Sequence, residues 1–111
     1  MDSTPLPYTF FPGLDELVPE IPADSIVSRT YFSNDKMKAI LFGFAAGQEL
    51  SEHTAAVPAV IHILEGEADL RLGEDHYEVH AGAWAHMPPR LSHALVAKTQ
   101  VVMLLLMFKE S

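Results

Sequence analysis

Three imidazoles in this 111-residue chain stand where they could do chemistry: His53 in "GQELSEHTAA", His86 in "WAHMP" and His93 in "PPRLSHAL". A neutral imidazole nitrogen binds first-row divalent ions, and a pKa near neutrality suits it to proton transfer. The chain has no cysteine, so neither a thiolate site nor a disulfide can form. A metal here would rest on imidazole and would be zinc, nickel, manganese or iron. Such an ion is held firmly by three or more protein ligands. His53 and His93 alone make a weak site, and His86 is the candidate that would complete it. The competing reading needs no metal: two cavity histidines that hydrogen-bond an organic ligand or water.

These side chains must be carried by strands. "SIVSRTYF" (25–32) and "MKAILFGF" (37–44) are β-branched and aromatic stretches separated by the turn sequence "SNDK". From Gly47 to Phe108 short apolar segments alternate with turn residues: "AVIHIL", "ADLRL", "HYEVH", "WAHM", "HALVA" and "VVMLLLMF". No helical period of any length interrupts them, so the chain reads as an all-β sandwich or barrel. "GLDELV" has room for one helical turn at most.

Alternation along the strands sorts the site candidates. If position 59 faces inward, so do Ile61 and Ile63, and His62 points to the opposite face. Ala55, Ala59, Ile61 and Ile63 then line a small-residue, apolar pocket near His53, with Trp84 as a candidate stacking wall. Glu52 adjoins His53 and projects away from it. Glu49 shares the face of His53 but lies about 13 Å along the strand at about 3.3 Å per residue. Tyr77 and Val79 share one face of "HYEVH" and His76, Glu78 and His80 the other, solvated one. The last strand is apolar on both faces, which calls for cover from the interior on one side and from an arm or a second subunit on the other. That double apolarity predicts a homodimer.

Length and charge bound the rest. The chain suffices for one domain, and 49% apolar with 20% charged residues describes a globular protein with a real core. A formal net charge of -8 with only seven Lys and Arg argues against nucleic acid as a partner. The longest apolar run, residues 101–108, is far short of the roughly 20 residues that span a bilayer. The start lacks a basic, apolar leader, so no membrane association and a cytoplasmic location are expected. Pro5, Pro7, Pro12, Pro19 and Pro22 make residues 1–24 an extended arm ahead of a domain over 25–111.

Residues 47–97 resemble the paired motifs of the cupin family. The first runs glycine, five residues, His-x-His, three or four residues, glutamate, six residues, glycine. This chain has Gly47, His53, Ala55 for the second histidine, Ala59 for the glutamate, and Gly66, all at the family spacing. The second motif has Gly82, Pro88, Arg90 for a glycine, His93, and Ala97 for an asparagine. The resemblance implies a double-stranded β-helix, or jelly-roll barrel, with a ligand cavity, and pairing through sheets and N-terminal segments.

It also implies a small-molecule-binding protein. With a metal as Lewis acid and a histidine moving the proton, the activity would be isomerisation, epimerisation or a lyase reaction on a small carbonyl or sugar-acid substrate. The alternative is a metal-free ligand-binding or sensor module. A metal-dependent dioxygenase ranks lowest, because Ala59 removes the carboxylate of the 2-His-1-carboxylate ligand set. Arg90 reads as a solvated loop residue, or as a guanidinium at the cavity mouth that clamps a carboxylate.

Overall fold

A computed structural model of the chain describes residues 6–18 and 20–109. Pro5 and Pro19 of the expected arm lie outside them. Nine strands follow one 3-10 turn, Leu14–Leu17. They are β1 (Ile26–Ser33), β2 (Met37–Phe44), β3 (Glu49–His53), β4 (Ala59–Glu65), β5 (Glu67–Leu72), β6 (Asp75–His80), β7 (Trp84–Met87), β8 (His93–Ala97) and β9 (Val101–Phe108). The turn between β1 and β2 is made as its sequence predicts: the Asn34 side-chain oxygen accepts from the backbone N–H of Lys36 and of Met37, both at 2.9 Å.

The strands form two antiparallel sheets, ordered β1-β2-β9-β4-β7 and β3-β8-β5-β6. This is the jelly roll that the alternating pattern calls for. β6 and β7 are each one of the two outer strands of their sheet, and the seam between them is one side of the barrel.

The interior is filled by one face of every central strand. Phe44, Ile61, Ile63, Ala68, Leu70, Met87, Leu95 and Met103 are buried together between the sheets. Ala59 is among them, opposite Met87 on β7 and Met107 on β9. The other face of the five-stranded sheet carries a second apolar layer. Leu41, Val102 and Leu104 are covered by Leu14, Leu17, Val18 and Ile21 of the N-terminal segment. The two-sided apolarity of β9 is thus met, over its first half, by the chain's own arm. Leu6, Tyr8 and Phe10, further out along that arm, stay exposed at 68%, 64% and 74%.

Tight turns set the strand spacing. Gly66, between β4 and β5, has φ +93, and a Cβ there would lie 2.0 Å from the Gln100 carbonyl oxygen. Only glycine fits that corner. Arg90 occupies the corner before β8 at φ +68, a left-handed conformation that a side chain adopts at a cost of about 1 kcal/mol. Its N–H is held by the Ala55 carbonyl at 2.7 Å, which ties this corner to the stretch just after β3.

Candidate functional site

His53 ends β3 and His93 begins β8, and the two are directly opposite in the ladder. Their ring centroids are 4.0 Å apart, with the planes inclined at 60°. A β-bulge brings this about. Between Leu50 and His53 the register slips, so that three steps along β3 match two along β8, from Leu95 to His93. Regular pairing would have set Glu52 against His93 and turned His53 away. The extra residue re-aims His53 to the side of His93 and of the inward Leu50, the kind of adjustment for which bulges are used near functional sites.

The bulge corrects one expectation from strict alternation. Glu49 does not share the face of His53: it pairs with the exposed Val96 on the outer surface of the four-stranded sheet. Glu52 is on that outer surface too, as expected. Its carboxylate accepts from the Ser92 hydroxyl and pairs with Arg71 at 3.2 Å. The Ser92 bond first, and Arg71 second, hold its pKa below the ordinary glutamate value.

The two imidazoles are oriented in the same way. His53 Nδ1 lies 2.8 Å from the Ser51 carbonyl and His93 Nδ1 2.9 Å from the Leu91 carbonyl, each two residues back in the chain. A carbonyl only accepts, so each Nδ1 carries the proton and each neutral ring keeps its lone pair on Nε2. The chain thus presents two imidazole rings side by side, each with an acceptor nitrogen at Nε2. Their surroundings differ: His53 is exposed, whereas His93 is 4% exposed and is the buried polar residue among the described residues. Burial lowers the His93 pKa below its ordinary value; the Leu91 carbonyl opposes this and the nearby His53 ring adds to it. At neutral pH His93 is therefore an uncharged base.

His86 does not join the pair. It stands opposite Val60 on the outward face of β7 and is exposed, while Ala85 and Met87 of the same strand take the inward positions. His62 is also outward, as alternation predicts, opposite Trp84. With His86 turned away, and alanine at 55 and 59, the pair is left without a third donor. Among the described residues no three His, Cys, Asp or Glu side chains come together as a metal site would need. Two imidazoles do not fit a divalent ion held by the protein alone.

A cavity of about 330 Å³ opens at the seam between β6 and β7. Of the expected pocket residues, Ile61, Ile63 and Trp84 line it; Ala55 and Ala59 do not. Tyr77, Val79, Leu70 and Leu72 are also among its walls, and sequence reasoning does not single them out as pocket residues. The shared face of Tyr77 and Val79 was the available signal. Neither His53 nor His93 lines the cavity, but Leu72 does, and Leu72 is the direct neighbour of His93 across β5 and β8.

Comparison with known proteins extends this picture. No protein of curated function matches the sequence. Among solved structures, a cupin superfamily protein from Desulfitobacterium hafniense superposes with a TM-score of 0.81 at 24% identity, covering 99% of this chain and 94% of the other. A conserved Streptococcus pyogenes protein of unknown function gives 0.81 at 28% identity over 96% and 92%. A salicylate 1,2-dioxygenase mutant from Pseudoaminobacter salicylatoxidans, in complex with gentisate, gives 0.72 at 17% identity; it covers 85% of this chain and 28% of that one. Resemblance at the first and last of these identities speaks for the fold alone. The family model for the cupin domain matches residues 40–108, well over half of the chain. With the barrel, the motif spacing and this match in agreement, the chain belongs to the cupin family.

Proposed function

We propose that this cupin binds a compact organic molecule in its barrel and contacts the molecule's polar group through His53 and His93. The observation that carries the reading is the paired imidazoles, 4.0 Å apart, each with Nδ1 committed to a backbone carbonyl and Nε2 left as a free acceptor. Such a pair accepts hydrogen bonds from a hydroxyl, an enol or a protonated acid. It can also take one proton and share the resulting charge.

If turnover follows binding, the reaction the pair is equipped for is a one-proton shift, as in isomerising or epimerising a carbonyl or sugar-acid substrate. Buried and uncharged at neutral pH, His93 is the base that takes the proton from one carbon and, as the imidazolium, gives a proton back to the enolate, while His53 holds the substrate hydroxyl. A binding or sensor role uses the same contacts without the shift. Dioxygenase chemistry ranks below both, since Ala59 stands where the carboxylate of that ligand set is needed.

Calorimetric titration of the purified protein with a series of small hydroxy acids and sugar acids tests the reading. His53→Ala and His93→Ala should each weaken the binding that wild type shows by about tenfold, the loss of one good hydrogen bond to a basic nitrogen. Elemental analysis separates the metal question: stoichiometric zinc, nickel, manganese or iron that both variants lose would replace this reading with a metal centre.

A further inference from the structure

The seam between β6 and β7 is hollow for a reason found in the side chains. Along the seam the inward positions are Ala83, just before β7, and Ala85 within it, where a larger residue would close the gap; the third, Met87, lies beyond the cavity. Ile61, Ile63 and Leu70, exposed by only 2%, 0% and 3%, underlie the hollow, and its open surface is that of Leu72, Val79, Tyr77 and Trp84. Tyr77 stands at the mouth, half exposed. The one charged residue on the lining, Glu78, alternates outward from Tyr77 and Val79 and is held there by Lys98 at 2.8 Å. The interior therefore presents apolar surface and no charge. Its volume, about 330 Å³, is at the lower end of the usual range for small-molecule sites.

We propose that this cavity is the site for the ligand's apolar body, entered sideways through the β6–β7 seam past Tyr77, and that the body is a compact, uncharged ring. Charged or branched polar molecules would bring unsatisfied groups against isoleucine and leucine walls, so among the substrates considered above the seam favours a carbonyl or hydroxyl carried on a ring over a sugar acid. A flat ring seated there touches Leu72, whose strand neighbour is His93, so a single hydroxyl on the ring reaches towards the imidazole pair. The hydroxyl contact rests on the function proposed above; the ring site rests on the cavity alone.

Methyl chemical shifts of isoleucine-labelled protein, titrated with toluene and with p-cresol, test the two separately. Both compounds should shift Ile61 and Ile63 and leave Ile21, Ile26 and Ile40 in place. Ala85→Phe puts a ring of the protein's own into the space and should weaken both compounds by at least about tenfold. Should that variant misfold, Ala83→Val narrows the same space with less strain and is expected to act in the same direction. His93→Asn should leave toluene unchanged and bring p-cresol down to the level of toluene. Shifts that are absent, that spread to Ile21, Ile26 and Ile40, or that survive the filling substitutions would overturn the seam site. If p-cresol gains nothing over toluene in wild type, the imidazole contact fails while the ring site stands.

Discussion

Two substitutions of His93 separate its service to the fold from its service to the site. Asparagine places an amide N–H about where the imidazole Nδ1–H stands, so His93→Asn keeps a donor for the Leu91 carbonyl and removes the basic Nε2. Leucine offers no donor. At pH 8, His93→Leu leaves that carbonyl unpaired beside a position that is 4% exposed, which costs about 1–3 kcal/mol. Added apolar burial offsets about 1 kcal/mol of this. His93→Leu should thus fall about 1 kcal/mol below His93→Asn.

Lowering the pH adds a second, independent signal. The folded-state pKa of His93 lies below its ordinary value of 6.5. Beneath pH 6.5 the unfolded chain therefore binds more protons at this residue than the folded one. The stability that neutral His93 contributes is present above 6.5 and is lost as the pH falls through the folded pKa, at up to about 1.4 kcal/mol per pH unit. Both variants lack this loss. Urea unfolding at pH 8, 6.5 and 5 reads it as the difference between wild type and His93→Asn, in which the histidines remote from the pair cancel. Equal midpoints for the two variants at pH 8 would remove the Leu91 hydrogen bond from the account. Equal pH dependence in wild type and His93→Asn would refute the depressed pKa.

Other substitutions probe the corners and surfaces. Gly66→Ala must move the Gln100 carbonyl away and hold φ +93, and thermal unfolding should show a loss of more than about 2 kcal/mol. Arg90→Gly relieves the left-handed strain at φ +68 while adding chain entropy, for a net change within about 0.5 kcal/mol. Arg90→Val, β-branched at the same φ, should unfold several degrees lower than either. In an NMR titration the Glu52 carboxyl should lie below 4.5 and move back up in Ser92→Ala, since the Ser92 bond is the main cause of its depression. Leu6, Tyr8 and Phe10 are expected to be covered by a second copy, so light scattering should give twice 12.2 kDa, and a mass of 12.2 kDa in dilute solution would refute the homodimer.

Much of the barrel could be read from punctuation. The turn residues after "AVIHIL", "ADLRL" and "HYEVH" mark strand ends, and strict alternation within each strand assigns its faces. Face assignment failed where the backbone breaks the two-residue period. The bulge before His53 leaves no mark in "ELSEH", because a register slip is a property of the pairing with β8 and not of either strand. "WAHM" shows a different limit: alternation groups Trp84 with His86 and Ala85 with Met87, but only the pairing with β4 decides which group turns inward. The hydrogen bonds that fix both imidazoles run to the main chain, to the carbonyls of Ser51 and Leu91, and side-chain identity does not encode them. The cavity at the seam was half legible, through Ile61, Ile63 and Trp84; its other wall is formed by Tyr77 and Val79, which reach it only because β6 and β7 end their sheets side by side.

The family pattern begins at residue 40, yet Leu14, Leu17, Val18 and Ile21 already lie against Leu41, Val102 and Leu104. A shortened protein cut at the pattern's edge would expose that layer to water and also lose β1, the partner of β2. What must be kept together to obtain a well-behaved sample is consequently larger than what a motif search recognises, and trimming from the front should produce aggregation before it produces a smaller functional barrel.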